Sequence, residues 1–66
     1  MVRGFTREVK AILLRNGCTM KRQGRGDHEV WISPKSARPF VVDGQIMSGA
    51  MANAVLKQAG LKERID

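Results

Sequence analysis

Sixty-six residues, 42% hydrophobic and 27% charged, suffice for one small domain over 1–66 and leave no room for a deep two-lobed active site. Twelve Lys and Arg against six Asp and Glu give a formal charge of +6, which favours a polyanionic partner and speeds encounter with nucleic acid. A single cysteine, Cys18, excludes an internal disulfide and a Cys-cluster metal site, and neither a membrane span of ~18 apolar residues nor a secretory leader is legible, so the chain reads as soluble and cytoplasmic.

Thr6 stands where an N-cap belongs, Glu8 complements the helix dipole, and Val9, Ile12 and Leu13 recur at three- and four-residue spacing. This predicts a helix of about three turns, ended by Gly17 in a left-handed C′ position, with Phe5 folding back onto its first turn. From Cys18 the period changes to two. Cys18, Met20 and Arg22 then share one face, and Thr19, Lys21 and Gln23 the other. Cys18 itself reads as a small buried strand residue.

Gly24-Arg25-Gly26-Asp27 is turn chemistry, and His28 to Ser33 alternates again, with Val30 and Ile32 on one face and Trp31 on the other. Two strands around a glycine turn predict an antiparallel hairpin. Residues 33–39 carry the prolines and small polar residues of a connection, and Phe40-Val41-Val42 reads as a short third strand. Asp43-Gly44 breaks it. Ser48 caps a second helix whose stripe is Met51, Val55, Leu56 and Ala59, with Ala52 beside it, and Gly60 ends that helix. The expected fold is α+β: a small α-β-β-β-α domain with a three-stranded antiparallel sheet and two helices on one face.

His28 is the one histidine, and an unperturbed imidazole is the side chain that titrates near neutrality, at about 6.5. It follows the glycine turn directly, with Lys21, Arg22 and Arg25 upstream and Lys35 and Arg38 in the next connection, all expected to gather at one place. Cleavage of an RNA backbone needs proton transfer and cations that stabilise charge developing on the phosphate, and one His beside several Lys and Arg supplies both. The bland reading of a lone His at a strand start is an exposed edge residue. Asp27 and Glu29 flank His28 and are expected to hydrogen-bond the imidazole and favour its charged form.

One His with scattered Asp27, Glu29 and Asp43 does not form a recognisable ligand set, so no metal and no cofactor is expected. Gly24 and Gly26 precede Asp-His rather than the Gly-Lys-Ser/Thr of a phosphate loop, which excludes a nucleotide hydrolase of that type. Trp31 and Phe40 could stack on bases. With three aromatics in the chain, core packing is the expected role.

The arrangement resembles the HicA-type mRNA interferases, toxins of bacterial toxin–antitoxin pairs. The residues that carry the resemblance are the helix ending in Asn16-Gly17, Met20-Lys21-Arg22-Gln23, Gly26-Asp27-His28, Ser33-Pro34 and Arg38-Pro39-Phe40. Ile46, Ser48, Ala52-Asn53 and Leu56-Lys57-Gln58-Ala59-Gly60-Leu61 complete it. The resemblance implies a fold similar to the double-stranded-RNA-binding domain and metal-independent cleavage of mRNA that arrests translation. It also implies neutralisation by a HicB-type antitoxin covering the active histidine. By motif, His28 takes the place of the family's catalytic histidine and Gly26 that of its preceding glycine. The chain has Gly26-Asp27-His28-Glu29 where the family often has Gly-Ser-His and a second His, and Cys18 where it often has an aromatic. Two other readings stay open: a non-catalytic double-stranded-RNA-binding module, and a small basic regulatory protein that binds an acidic partner.

Overall fold

The computed structural model describes residues 4–65. In chain order it forms α1 (Thr6–Arg15), β1 (Thr19–Gln23), β2 (Glu29–Ile32), β3 (Phe40–Val42) and α2 (Gly49–Gln58), with the strands in one open antiparallel sheet of order β1-β2-β3. The expected element order and α+β class are the observed ones.

Both helices stop as their glycines predict. After α1, Gly17 adopts φ 84°, its N–H donates to the Leu14 carbonyl (3.1 Å) and that of Cys18 to the Leu13 carbonyl (2.9 Å). After α2, Gly60 adopts φ 78° and the same pair of bonds runs from Gly60 to Lys57 (2.9 Å) and from Leu61 to Leu56 (3.1 Å). These are Schellman motifs, which satisfy carbonyls that a helix end otherwise leaves open. Ser48 caps α2, accepting the Met51 N–H at 3.1 Å.

Thr6 departs from its expected role. Phe5 occupies the cap position of α1 and no side chain caps the helix. The Thr6 hydroxyl instead donates to the Gly44 carbonyl (3.1 Å) and accepts from the Ile46 N–H (2.9 Å), while the Phe5 N–H donates to the Ile46 carbonyl (2.6 Å). The strap between β3 and α2 brings backbone groups that need partners, and they outcompete the local cap.

The core lies between the helices and one sheet face. Val9 and Leu13 of α1, Ala52, Val55 and Leu56 of α2, and Trp31, Phe40 and Val42 of the sheet are buried together with Ile46, Ala59 and Leu61. Trp31 lies opposite Phe40 in the register, and both face inward, so neither ring offers a stacking platform. Cys18 is buried too, in the link before β1 rather than within it. The α2 stripe runs through Ala52, not Met51, which is 42% exposed. The small Ala52 lets the helix approach the core, and 52, 55, 56 and 59 keep the helical spacing.

The alternation expected in β1 is also broken. Thr19 and Met20 pair with Ile32 and Trp31, but Arg22 and Gln23 pair with Val30 and Glu29. Lys21 is therefore the extra residue of a bulge, and Met20 and Arg22 fall on opposite faces although they are two apart. Met20 shares the face of Trp31, and Arg22 that of Val30.

Three polar contacts tie the ends together. The buried Ser33 hydroxyl donates to the Ala59 carbonyl (2.7 Å), fixing the end of β2 to the end of α2. Asn53 exchanges two bonds with the backbone of Ile65, at 2.9 and 2.7 Å. Glu63 accepts from Asn16 (2.8 Å) and Arg15, which hold its carboxyl below the usual carboxylate range. Among the described residues no helix is long and apolar enough to cross a membrane.

Candidate active site

Residues 24–28 close the β1–β2 hairpin. The Gly24 N–H donates to the His28 carbonyl (2.8 Å) and the His28 N–H to the Arg25 carbonyl (3.0 Å), with Gly26 at φ 61°. The Gln23 side-chain amide donates to the Gly26 and His28 carbonyls (3.0 and 3.1 Å), so the turn is braced from both sides. His28 thus has a fixed backbone while its side chain remains 47% exposed, open to a substrate as large as a nucleic acid.

The β2–β3 register then decides its neighbour. Val30 lies opposite Val41 and Glu29 opposite Val42, so one further step places His28 opposite Asp43. The imidazole Nε2 is 3.5 Å from Asp43 Oδ2, a charge contact longer than a hydrogen bond. The other Asp43 oxygen, Oδ1, accepts the Gln45 N–H at 2.8 Å, which orients the carboxylate. Asp27 comes in from the turn. Donor atoms of Asp27, His28 and Asp43 all lie within 4.8 Å of one another, so carboxylates that look scattered in the sequence converge in the fold.

Glu29 does not join them. It points to the helix-covered side, accepting the Trp31 indole N–H (3.0 Å) and pairing with the Lys10 ammonium of α1 (3.1 Å). The indole and then the Lys10 ammonium hold its carboxyl below the usual range. The expectation that Glu29 orients His28 is therefore corrected: period two sends residues 28 and 29 to opposite faces, and the carboxylate beside the imidazole is Asp43. A carboxyl whose pKa falls on folding stabilises the native state above its unfolded value and loses that contribution as pH drops through the lower folded value. Glu29→Gln is accordingly expected to cost about 1 kcal/mol in urea unfolding at pH 7, and the difference from the wild type should shrink as pH is lowered to about 3. A difference that stays constant with pH would show that the ion pair contributes nothing.

The cations divide into two groups. Arg22, opposite Val30, is diagonal to His28 on the outer face, at a Cα spacing of about 7–8 Å for such pairs. Arg25 is in the turn itself and Lys21 is the bulge residue beside Arg22. Lys35 and Arg38 belong to the β2–β3 connection, at the far end of β2, roughly 16 Å away at ~3.3 Å per residue. The expected gathering of all five is thus corrected to three near His28 and two at the opposite end. Sequence reasoning also missed Gln23 and Asp43 as site residues. Pairing Trp31 with Phe40 would have exposed the second, since that register sets residue 28 against 43.

An exposed imidazole with a carboxylate at its Nε2 and guanidinium groups alongside can move a proton next to a phosphodiester. In comparisons with known proteins, residues 6–61 match the family model of the HicA toxin of bacterial toxin–antitoxin systems. No curated protein and no solved structure matches.

Proposed function

The chain belongs to the HicA toxin family of bacterial toxin–antitoxin systems, and on that premise we propose that it is a metal-independent endoribonuclease that cleaves mRNA and so arrests translation and growth in the cytoplasm. The observation that carries the reading is the exposed His28 imidazole, held by its turn against Asp43 with Arg22 and Arg25 alongside. In this reading the neutral imidazole takes the proton of the attacking hydroxyl as the new P–O bond forms, and the charged form returns a proton to the leaving oxygen. Asp43 stabilises the imidazolium between those steps, acting as a positioning residue. Lys21, Arg22 and Arg25 neutralise the phosphate, with Gly26 and Asp27 shaping the turn. A HicB-type antitoxin silences the toxin by covering His28.

The direct test is incubation of the purified protein with an mRNA in the presence of a chelator. Shortened RNA, and its disappearance when the cognate antitoxin is added, is the expected result; intact RNA would contradict the reading. Arg22→Ala and Arg25→Ala are expected to weaken binding of a short oligonucleotide and to lower its salt slope by about one each. Lys35→Ala and Arg38→Ala, at the other end of the sheet, should change binding of long RNA alone. Equal losses from all four on the short substrate would contradict this division of the surface.

The spread of cations over both ends of the sheet also suits a non-catalytic RNA-binding module, which spans a duplex through its phosphates. That reading predicts binding without cleavage and no effect of His28 on RNA length.

A further inference from the structure

Proton transfer uses His28 and one neighbouring carboxylate, yet two carboxylates meet the imidazole. Donor atoms of Asp27, His28 and Asp43 lie within 4.8 Å of one another. Carboxylates this close disfavour each other's charged form unless a cation lies between them. The chain carries twelve Lys and Arg, but among the described residues none forms an ion pair with Asp27 or Asp43; the partner of Asp43 is His28.

The donors are also held in place by features that serve no other evident purpose. A Cβ on Gly44 would stand 2.7, 2.8 and 2.9 Å from Oδ2, Cβ and Cγ of Asp27. Gly44 is not in the left-handed region, so the glycine answers to the space that the Asp27 carboxylate occupies rather than to its backbone angles. Asp43 has Oδ1 tied to the Gln45 N–H at 2.8 Å, which leaves Oδ2 facing His28.

We propose that Asp27, His28 and Asp43 bind a divalent transition ion of the Zn2+ class, and that the ion shuts the site by occupying the imidazole nitrogen. Zinc bonds of about 2.0–2.2 Å to nitrogen and oxygen place tetrahedral ligands roughly 3.3–3.5 Å apart. The His28–Asp43 separation of 3.5 Å already meets that spacing, and the exposed Asp27 closes the remainder by side-chain rotation. An imidazole with two carboxylates suits Zn2+ better than Mg2+ or Ca2+, which take oxygen ligands throughout. Three protein ligands leave the fourth position to water. A metal-bound Nε2 has no free lone pair for a proton, so cleavage stops; this inhibitory part rests on the ribonuclease reading above, whereas the binding itself does not.

The test is a calorimetric titration of untagged full-length protein with ZnCl2, together with NMR of the imidazole, whose signals are unambiguous because the chain has one histidine. One ion per chain and a shift of the His28 ring signals are expected. Asp27→Asn, Asp43→Asn and His28→Ala should each weaken binding at least about tenfold, and Glu29→Gln should leave it unchanged. RNA cleavage should fall in step with occupancy and return on chelation. Ring signals that stay put at saturating Zn2+, or wild-type affinity in Asp43→Asn, would overturn the site. Zinc binding as described in a protein that never cleaves RNA would sustain the metal site and overturn the ribonuclease reading; cleavage indifferent to Zn2+ would overturn the inhibition and leave that reading standing.

Discussion

His28→Ala is expected to lower RNA cleavage by about 10²–10⁴-fold, the range a positioned acid–base group contributes, while the protein stays folded. The fold is insensitive because the bonds that build the turn come from the backbone: His28 N–H to Arg25 and Gly24 N–H to His28, both of which alanine retains. The side chain is 47% exposed and its polar contact is the 3.5 Å approach to Asp43, so stability should change by no more than about 0.5 kcal/mol. The two carboxylates flanking β2 make the effect specific. Asp43→Asn should slow cleavage, because the imidazolium loses its counter-charge, whereas Glu29→Gln should not, because Glu29 serves Trp31 and Lys10. Cleavage rates beside urea midpoints for the three variants check this. Equal loss in Asp43→Asn and Glu29→Gln would mean that the sheet register argued above is wrong.

Gly60→Ala is the substitution expected to damage the fold most. A left-handed residue with a Cβ costs about 1–2 kcal/mol, and Gly60 has φ 78°. In addition, the new Cβ would overlap the Lys35 carbonyl, a backbone group that cannot swing aside. Either the end of α2 or the turn after β2 must move, and the 2.7 Å bond from Ser33 to the Ala59 carbonyl goes with it. A loss of about 3 kcal/mol or more is expected, against a total of roughly 3–10 kcal/mol for a chain this size. Gly26→Ala is the control: φ is 61° but nothing lies within 4 Å of its Cβ, so only the backbone cost of about 1–2 kcal/mol applies. Thermal unfolding of both separates the effects, and a Gly60→Ala protein as stable as Gly26→Ala would refute the packing argument.

What was legible in the sequence is what short-range physics decides. Helical spacing at Val9 and Leu13, the glycines at 17 and 60 and the Ser48 cap each act within a few residues, and the structure places them as read. The errors fall where distant segments compete. Thr6 abandoned its helix for the strap at Gly44 and Ile46, and Met51 yielded the core to Ala52 because closeness of approach, not hydrophobicity, governs that contact. The Lys21 bulge left no mark in a run of five exposed residues, where no buried face enforces alternation. The site was legible as one residue, His28, and its turn. Asp43 stayed hidden because its proximity depends on register between β2 and β3, and Lys35 and Arg38 were misplaced because a connection after a strand emerges at that strand's far end.

The central claim is that this member of the HicA toxin family is a ribonuclease working through His28, and induced expression of wild type and His28→Ala side by side tests it most directly. Growth and the length of total mRNA are followed, with circular dichroism confirming that the variant folds. Wild type that stops growth and shortens mRNA, beside a folded His28→Ala that does neither, is the predicted result. Equal arrest by both, or intact mRNA in both, would contradict the account and return the chain to the class of RNA-binding modules.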